Sequence, residues 1–392
     1  MYTIQTLNNI ADIGLDIFKD GSYTVTKEDS NPDGVLLRSF NMHNLELPEN
    51  LKGIARAGAG VNNIPVEACT EKGIVVFNTP GANANAVKEL VLASMLMSSR
   101  NLLDGISWAK NLHGQGEAVP QLVEAGKKEY VGTEIRGKRL GIIGLGAIGV
   151  LVANDALSLG MEVMGYDPYV SVETAWLLSR QVQRAVNLEQ IFSTCDYITM
   201  HVPLIDQTRG MFNMEAFRTM KKGVRLFNFS RGELVNEDDM RVALEEGIVA
   251  SYVTDFPNDN VLGMKNVIPT PHLGASTYES EENCAIMASR QLKEYLETGN
   301  IRNSVNYPNV ELPYFGQKRI TVAHKNVPNM VGQMTASLAE HGINIADMIN
   351  RSKGSYAYTI IDIDNGVDAK IKDDIAEKIK NIAGVAAVRI IQ

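Results

Sequence analysis

Hydrophobic positions in the first hundred residues come in short runs separated by turn signals. Residues 35–37 read as a strand ending at Arg38 and Ser39. Residues 54–56 read as a strand running into the Gly-rich stretch 57–60, and residues 74–77 as a strand ending in Asn-Thr-Pro-Gly. Between 83 and 110, Val87, Leu90, Val91, Met95 and Leu102 keep helical spacing and predict one long helix. Strand, loop and helix in alternation predict an α/β lobe with a mostly parallel sheet.

The pattern restarts at Lys138. A buried-strand run over 139–143 is followed by a Gly-rich turn, a helix through Leu159 and a strand over 162–166. Further strands are predicted over 197–202, 224–228, 250–254 and 267–268, with helices near 188–192, 214–220 and 237–246. After a helix around 279–297, residues 303–316 are rich in Asn and Pro and lack any period, which reads as a linker or surface strap. Residues 318–392 then give strand, helix, strand, strand, helix, strand, the ferredoxin-like βαββαβ order.

With 392 residues, two or three domains are expected. Apolar residues make up 45% and charged residues 21%, which argues against a largely disordered chain. The formal net charge of −9 gives an overall field that does not attract polyanions, so nucleic-acid and anionic-membrane partners are not expected. The three cysteines, Cys69, Cys195 and Cys284, are widely spaced with no CxxC pair. Neither a disulfide framework nor a cysteine-based metal site is expected, and a reducing cytoplasm fits. Residues 1–18 lack the basic start and apolar core of a signal peptide. No apolar run reaches the length of a membrane helix.

Gly144, Leu145, Gly146, Ala147, Ile148 and Gly149 form a GxGxxG between a strand and a helix. The first glycine permits a tight turn, the second lets backbone approach a pyrophosphate, and the third lets helix and strand pack closely. The helix start, with Ala147 and Ile148, offers free N–H groups to phosphate. The next strand ends in Asp167, 18 residues after Gly149, where a carboxylate accepts from the ribose hydroxyls. No Arg follows at 168–170, so NAD is expected over NADP.

The blocks at 56–64, 75–90, 132–149, 165–169, 201–204, 221–236, 271–277 and 324–328 occur in an order and spacing that resemble the D-isomer-specific 2-hydroxyacid dehydrogenases carrying a C-terminal ACT domain. The resemblance spans nearly the whole chain. It implies two Rossmann-like lobes followed by the ferredoxin-like module. The substrate-binding domain would be 1–97 with 278–302 and the NAD-binding domain 98–277, with the cleft at their junction. Residues 303–317 would be a linker and 318–392 the ACT regulatory domain.

It further implies oxidation of 3-phospho-D-glycerate to 3-phosphohydroxypyruvate with NAD, the first step of L-serine biosynthesis. The alternatives are another D-2-hydroxy acid (glyoxylate, hydroxypyruvate, erythronate 4-phosphate) or a non-catalytic NAD-sensing corepressor. A homodimer or homotetramer is expected. By the match, His272 is the acid/base and Arg231 the substrate-binding arginine. A guanidinium fork suits a carboxylate, and a His beside a carboxylate suits a hydroxyl proton. Aligning on Phe256 and Pro257 puts Asp259 where the family carries the Glu that pairs with the His. Thr254 then falls where the family has an Asp at the nicotinamide, with Asp255 as the rival for either role.

Phe229 and Ser230 would lie along the nicotinamide ribose, His201, Val202 and Pro203 along the adenosine side, and Gly274 and Ala275 by the nicotinamide. Ala59, Gly60 and Val61 would present N–H groups to the substrate carboxylate, near Ser39. Arg38, Arg56 and Lys128 are candidate phosphate partners. In the ACT module, His324, Asn326 and Asn344 match positions that bind L-serine in serine-inhibited relatives. The usual Gly before the first ACT helix is Asn329 here, a residue that tolerates unusual backbone angles.

Overall fold

Parallel strands need crossover connections, and two stretches of strand–helix alternation supply them. The computed structural model describes residues 1–29, 31–364 and 369–391. The first sheet is parallel: β1 (Tyr2–Leu7), β2 (Tyr23–Thr26), β3 (Gly34–Leu37), β4 (Gly53–Arg56) and β5 (Val75–Phe77), in the order β2-β1-β3-β4-β5. The second, also parallel, has seven strands: β6 (Arg139–Ile143), β7 (Glu162–Tyr166), β8 (Gln183–Arg184), β9 (Tyr197–Met200), β10 (Val224–Asn228), β11 (Val249–Thr254) and β12 (Val267–Pro269). Its order is β12-β11-β10-β9-β6-β7-β8. Strands such as β3 and β9 are buried at every position, as expected for sheets covered on both faces.

A third, antiparallel sheet holds β13 (Lys318–Lys325), β14 (Ile345–Lys353), β15 (Tyr356–Ile363) and β16 (Val385–Ile391) in the order β14-β15-β13-β16. Five helices matter below: α1 (Ala84–Ser99), α2 (Ala147–Ser158), α3 (Tyr278–Thr298), α4 (Met330–Glu340) and α5 (Ala369–Lys380). The βαββαβ order read from the sequence is this third sheet with α4 and α5.

The chain divides into two compact units, Met1–Ala82 with Glu281–Gln392, and Asn83–Ser280. The division at 82/83 differs from the sequence expectation at 97/98. Val87, Val91 and Met95 of α1 share one core with Leu140, Ile142, Val150 and Ala153, so α1 packs with the glycine-loop lobe. The helix expected over 83–110 is also broken. Asn101 adopts φ 48, a left-handed conformation that separates α1 from a second helix at Leu102–Lys110. β1 and β2 had no sequence forecast, because their polar positions leave little apolar signal: only Ile4 and Tyr23 are buried hydrophobics there.

The central strands β13 and β15 of the antiparallel sheet are buried on both faces, while β14 is largely exposed. Ile320, Val322 and Ile361 pack with Met334, Leu338, Ile375 and Ile379. Ala323, Tyr358 and Ile360 join Leu292, Tyr295 and Leu296 of α3 and Ile4 of β1 in a second core. The segment between α3 and β13 is accordingly a bonded strap. Asn306 is buried and uses its whole amide: Oδ1 accepts from Val76 N at 2.9 Å, and Nδ2 donates to Thr70 Oγ1 at 3.0 Å and Ile74 O at 2.9 Å. The fully buried Arg319 donates to Asp362 (2.6 and 2.8 Å) and to the carbonyls of Thr298, Leu312 and Pro313. Arg389 donates to the carbonyls of Tyr295 and Leu296 at the C-terminal end of α3. There a cation also complements the helix dipole.

Candidate active site

In a doubly wound sheet the ligand crevice lies at the C-terminal strand ends, where the strand order reverses. Here that point is between β6 and β9. Gly144 ends β6 with φ 94, and a Cβ on it would stand 2.6 Å from His201 O at the end of β9. A Cβ on Gly149 would sit 2.1 Å from Gly144 O, so α2 seats directly on the turn. At Gly146, the N-cap of α2, a Cβ would meet nothing within 4 Å. The glycine whose assigned task is ligand approach is thus the one facing open space. Asp167 accepts from Leu145 N and Tyr169 N, each at 2.8 Å, which ties the ribose-side carboxylate to the glycine turn. The donors and space present fit a dinucleotide.

His201 Nε2 pairs with Thr199 Oγ1 at 3.0 Å while Nδ1 has no partner among the described residues. Burial pushes its pKa down to about 4, so the ring is neutral near neutral pH. Val202 reaches the same turn: its Cγ1 would lie 3.1 Å from a Cβ on Gly144. Pro203 O accepts from Thr208 Oγ1.

Arg231 follows β10 on a loop that Asn228 organises. Asn228 is fully buried, donates from Nδ2 to Arg231 O at 2.8 Å and accepts from Ser230 N at 3.1 Å. Ser230 Oγ donates to Met200 O at 2.7 Å. Phe229 turns into the core with Phe227 and Val253. The guanidinium of Arg231 is exposed and donates to Ser230 O. Sequence reasoning passed over Asn228; its signal was an amide at the end of an apolar strand, directly before the arginine loop.

The two candidate carboxylates separate sharply. Asp255, next after β11, is 1% exposed. Its Oδ2 accepts from Gly274 N at 3.1 Å, and Oδ1 is buried without a partner among the described residues. Burial raises its pKa, while the Gly274 N–H and the charges of His272 and Arg231 pull the other way. Asp259 instead is exposed in the first turn of the four-residue helix Asp259–Leu262, and Asn258 caps that helix. The structure therefore brings Asp255, His272, Arg231 and Gly274 together, and among the described residues Asp259 makes no hydrogen bond or ion pair with His272. The expectation that Asp259 pairs with the histidine assumed an ungapped alignment. Here Asp259 lies in the short exposed helix after Pro257, whereas Asp255 comes directly off the strand and interacts with the His272 charge. His272 is exposed, its ring 4.7 Å from that of Phe256. Ala275 follows Gly274 in the same loop.

In the other unit, the carbonyl of Arg38 accepts from Arg56 Nε at 2.9 Å and Asn63 Nδ2 at 3.2 Å. The Arg38 guanidinium pairs with Glu281 at 2.7 Å. Ser39 continues the turn after β3. The loop carrying Ala59, Gly60 and Val61 is held by Asn78 Nδ2 on Ala59 O (2.6 Å) and Thr79 N on Gly58 O (3.1 Å). Lys128, in the unit with Arg231, is strongly exposed, with Glu129 at 4.0 Å.

In the antiparallel sheet His324 is buried, with Nδ1 on Lys325 O at 2.8 Å and Nε2 on Thr359 Oγ1 at 2.9 Å. Asn326 adjoins Ser355 before β15, whereas Asn344 adjoins Asp364 beyond it. Within one chain these two amides sit at opposite ends of β15. Asn329 takes φ 66, the left-handed angle a glycine would otherwise supply.

Residues 92–274 match the family described as D-isomer specific 2-hydroxyacid dehydrogenase, NAD binding domain. The chain is 36% identical over 311 residues to the D-3-phosphoglycerate dehydrogenase of Methanocaldococcus jannaschii, covering 78% of this chain and 56% of that protein. It is 36% identical over 283 residues to the Homo sapiens protein of that name, covering 70% and 50%. The chain thus spans about half the length of the curated relatives it matches. Among solved structures it is similar to NAD+-bound 3-phosphoglycerate dehydrogenase of Entamoeba histolytica, with TM-score 0.61, 27% identity, and 78% of this chain and 98% of that one covered. It shares its fold with D-mandelate dehydrogenase of Rhodotorula graminis at TM-score 0.66 and 22% identity, over 80% and 99% of the two chains. The glycine turn, Asp167, Arg231 and His272 all lie within residues 92–274, the segment that matches the NAD-binding domain of the D-isomer-specific 2-hydroxyacid dehydrogenases.

Proposed function

We propose that this chain oxidises 3-phospho-D-glycerate to 3-phosphohydroxypyruvate with NAD, the entry step to L-serine. The observation that carries the reading is the buried carboxylate of Asp255 within electrostatic reach of both an exposed imidazole and an exposed guanidinium. Arg231 binds the substrate carboxylate through its fork and polarises the reacting carbon–oxygen bond. His272 receives the hydroxyl proton, and Asp255 stabilises the imidazolium that results. Bound NAD supplies the acceptor for the hydride that leaves the substrate carbon. Gly274 N–H fixes the Asp255 carboxylate, so the imidazole meets a preset charge. Arg38 and Arg56 are the proposed partners of the substrate phosphate, with Ala59, Gly60 and Val61 offering backbone N–H groups.

NADH formation with 3-phospho-D-glycerate tests this, run also from the keto acid, because equilibrium favours the hydroxy acid. Turnover is expected in both directions, with NAD preferred over NADP. Turnover confined to glyoxylate or hydroxypyruvate would move the substrate assignment. No turnover of any 2-hydroxy acid would reject the catalytic reading in favour of a nucleotide sensor.

We also propose feedback by L-serine through His324, Asn326 and Asn344. Since Asn326 and Asn344 lie at opposite ends of one strand, the effector site draws them from two chains paired through this sheet, in a homodimer or homotetramer. Serine titration should lower the rate and shift the melting temperature; no change in either rejects it. No helix among the described residues is long and apolar enough to cross a membrane, and Cys69, Cys195 and Cys284 are buried free thiols. Both observations fit the proposed cytoplasmic location.

A further inference from the structure

A pocket of about 440 Å³ opens beside the strap, lined by Asn78, Asn303, Ser304, Asn309, Ser352 and Lys353, with Pro80, Tyr307 and Pro308. Among the described residues Lys353 is the only charged one lining it, on a chain of net charge −9. The ammonium, at the end of β14, donates to Ser304 O at 3.1 Å and Val305 O at 3.0 Å. Among the described residues no carboxylate lies within ion-pair distance of it. Partial burial lowers its pKa, with no counter-charge offsetting the shift. Two carbonyls therefore orient a cation whose third N–H remains unused. Around it, among the described residues, the Asn309 amide engages only through Oδ1, accepting from Asn303 N at 3.0 Å, and the Ser352 hydroxyl makes no hydrogen bond. An uncompensated cation ringed by neutral donors is the electrostatic complement of an anion.

We propose that this pocket binds a small oxyanion, the carboxylate or phosphate group of a metabolite, and that occupancy is felt at the loop 57–61. The connection is short. Asn78, on the pocket wall, holds Ala59 O through Nδ2 at 2.6 Å, and its own carbonyl is held by Gln291 Nε2 at 2.9 Å. Asn303 Nδ2 closes the circuit on Gln291 Oε1 at 2.6 Å. An anion drawn to Lys353 competes with the strap carbonyls for its N–H groups, and the strap backbone bonds Asn78 N through Asn303 O at 3.4 Å. The pocket shares no residue with the proposed dehydrogenase site, so calorimetry tests it apart from that reading; only the coupling reaches Ala59, Gly60 and Val61, which that reading places at the substrate.

The experiment titrates inorganic phosphate, and separately succinate, into the full chain by calorimetry, with Lys353→Gln and Asn309→Asp alongside. Asn309→Asp preserves the Oδ1 acceptor for Asn303 N and places a negative charge in the pocket, so the strap survives while an anion is repelled. Thermal melts report folding of both variants. The wild-type chain should bind one more anion than either variant, or bind it at least tenfold more tightly. Whichever of phosphate and succinate binds identifies the source of the oxyanion. Hydrogen exchange at 57–61 should change on adding that anion to the wild type and stay constant in the variants. Equal binding in all three proteins, or no binding of either anion, overturns the site. Binding without any change at 57–61 overturns the coupling.

Discussion

Replacing Asp255 by Asn keeps the side chain's size and removes its charge, and the structure separates two consequences. The first is kinetic. Losing a positioned acid–base partner lowers the rate by about 10²–10⁴, equivalent to about 2.7–5.4 kcal/mol of barrier. The second is thermodynamic and has the opposite sign. Burial raises the Asp255 pKa in the folded chain, so the folded state holds this proton more tightly than the unfolded state. Its contribution to stability is greatest below the unfolded value of about 3.9 and declines as pH rises through the folded one. Asparagine never ionises and still accepts from Gly274 N. The variant should therefore melt at or above the wild-type temperature at alkaline pH, at about 2–4 °C per kcal/mol for a unit of about 200 residues. Asp259→Asn is the control. Asp259 is exposed, so its stability effect should stay within about 0.5 kcal/mol and the rate should hold. NADH absorbance across pH, with melts of each protein, makes the comparison. If Asp259→Asn abolishes turnover while Asp255→Asn keeps the wild-type rate and pH profile, the assignment of the pairing carboxylate is wrong.

The glycine turn yields a paired test. Gly146→Ala enters open space and should leave the melting temperature unchanged while weakening NAD about tenfold or more. Gly149→Ala would place Cβ against Gly144 O and should destabilise the unfilled protein by about 1–3 kcal/mol, read by denaturant titration. His201, with its pKa near 4, contributes stability that is complete above about 6.5 and is lost as pH falls toward 4. A plot of melting temperature against pH should flatten over that window in His201→Asn. Arg319→Met leaves Asp362 buried without its cation and should cost about 3–5 kcal/mol. Adding Asp362→Leu should recover much of that loss in chemical denaturation.

Reading the sequence reached the strands that form continuous apolar runs, because a buried parallel strand needs nothing else. It also reached the glycine turn with Asp167, because each glycine there meets a separate steric demand that the structure bears out at Gly144 and Gly149. The allocation of α1 was out of reach: its apolar stripe is equally consistent with either lobe, and only the packing partners Leu140 and Val150 decide. Asp255 carries less weight in the sequence because linear alignment counts positions; its burial at the strand end, on the Gly274 N–H, is visible only in the fold. The Asn and Pro content of the strap reads equally as a linker or a surface strap. Asn306 shows that the same residues, once buried, serve as backbone surrogates.

That strap has a consequence for the order of synthesis. β5 is an edge strand of sequence VVF, and a bare apolar edge is a template for pairing with other chains. Ser304 bridges Phe77, Val305 N donates to Val76 O at 2.9 Å, and Asn306 accepts from Val76 N. The cover is encoded some 230 residues after the edge it protects. At about 5–20 residues per second, a ribosome needs on the order of 10–50 s to deliver it. For that interval every nascent copy displays an open strand, so the yield of active protein should depend on chaperone supply and on how closely ribosomes follow one another along the message.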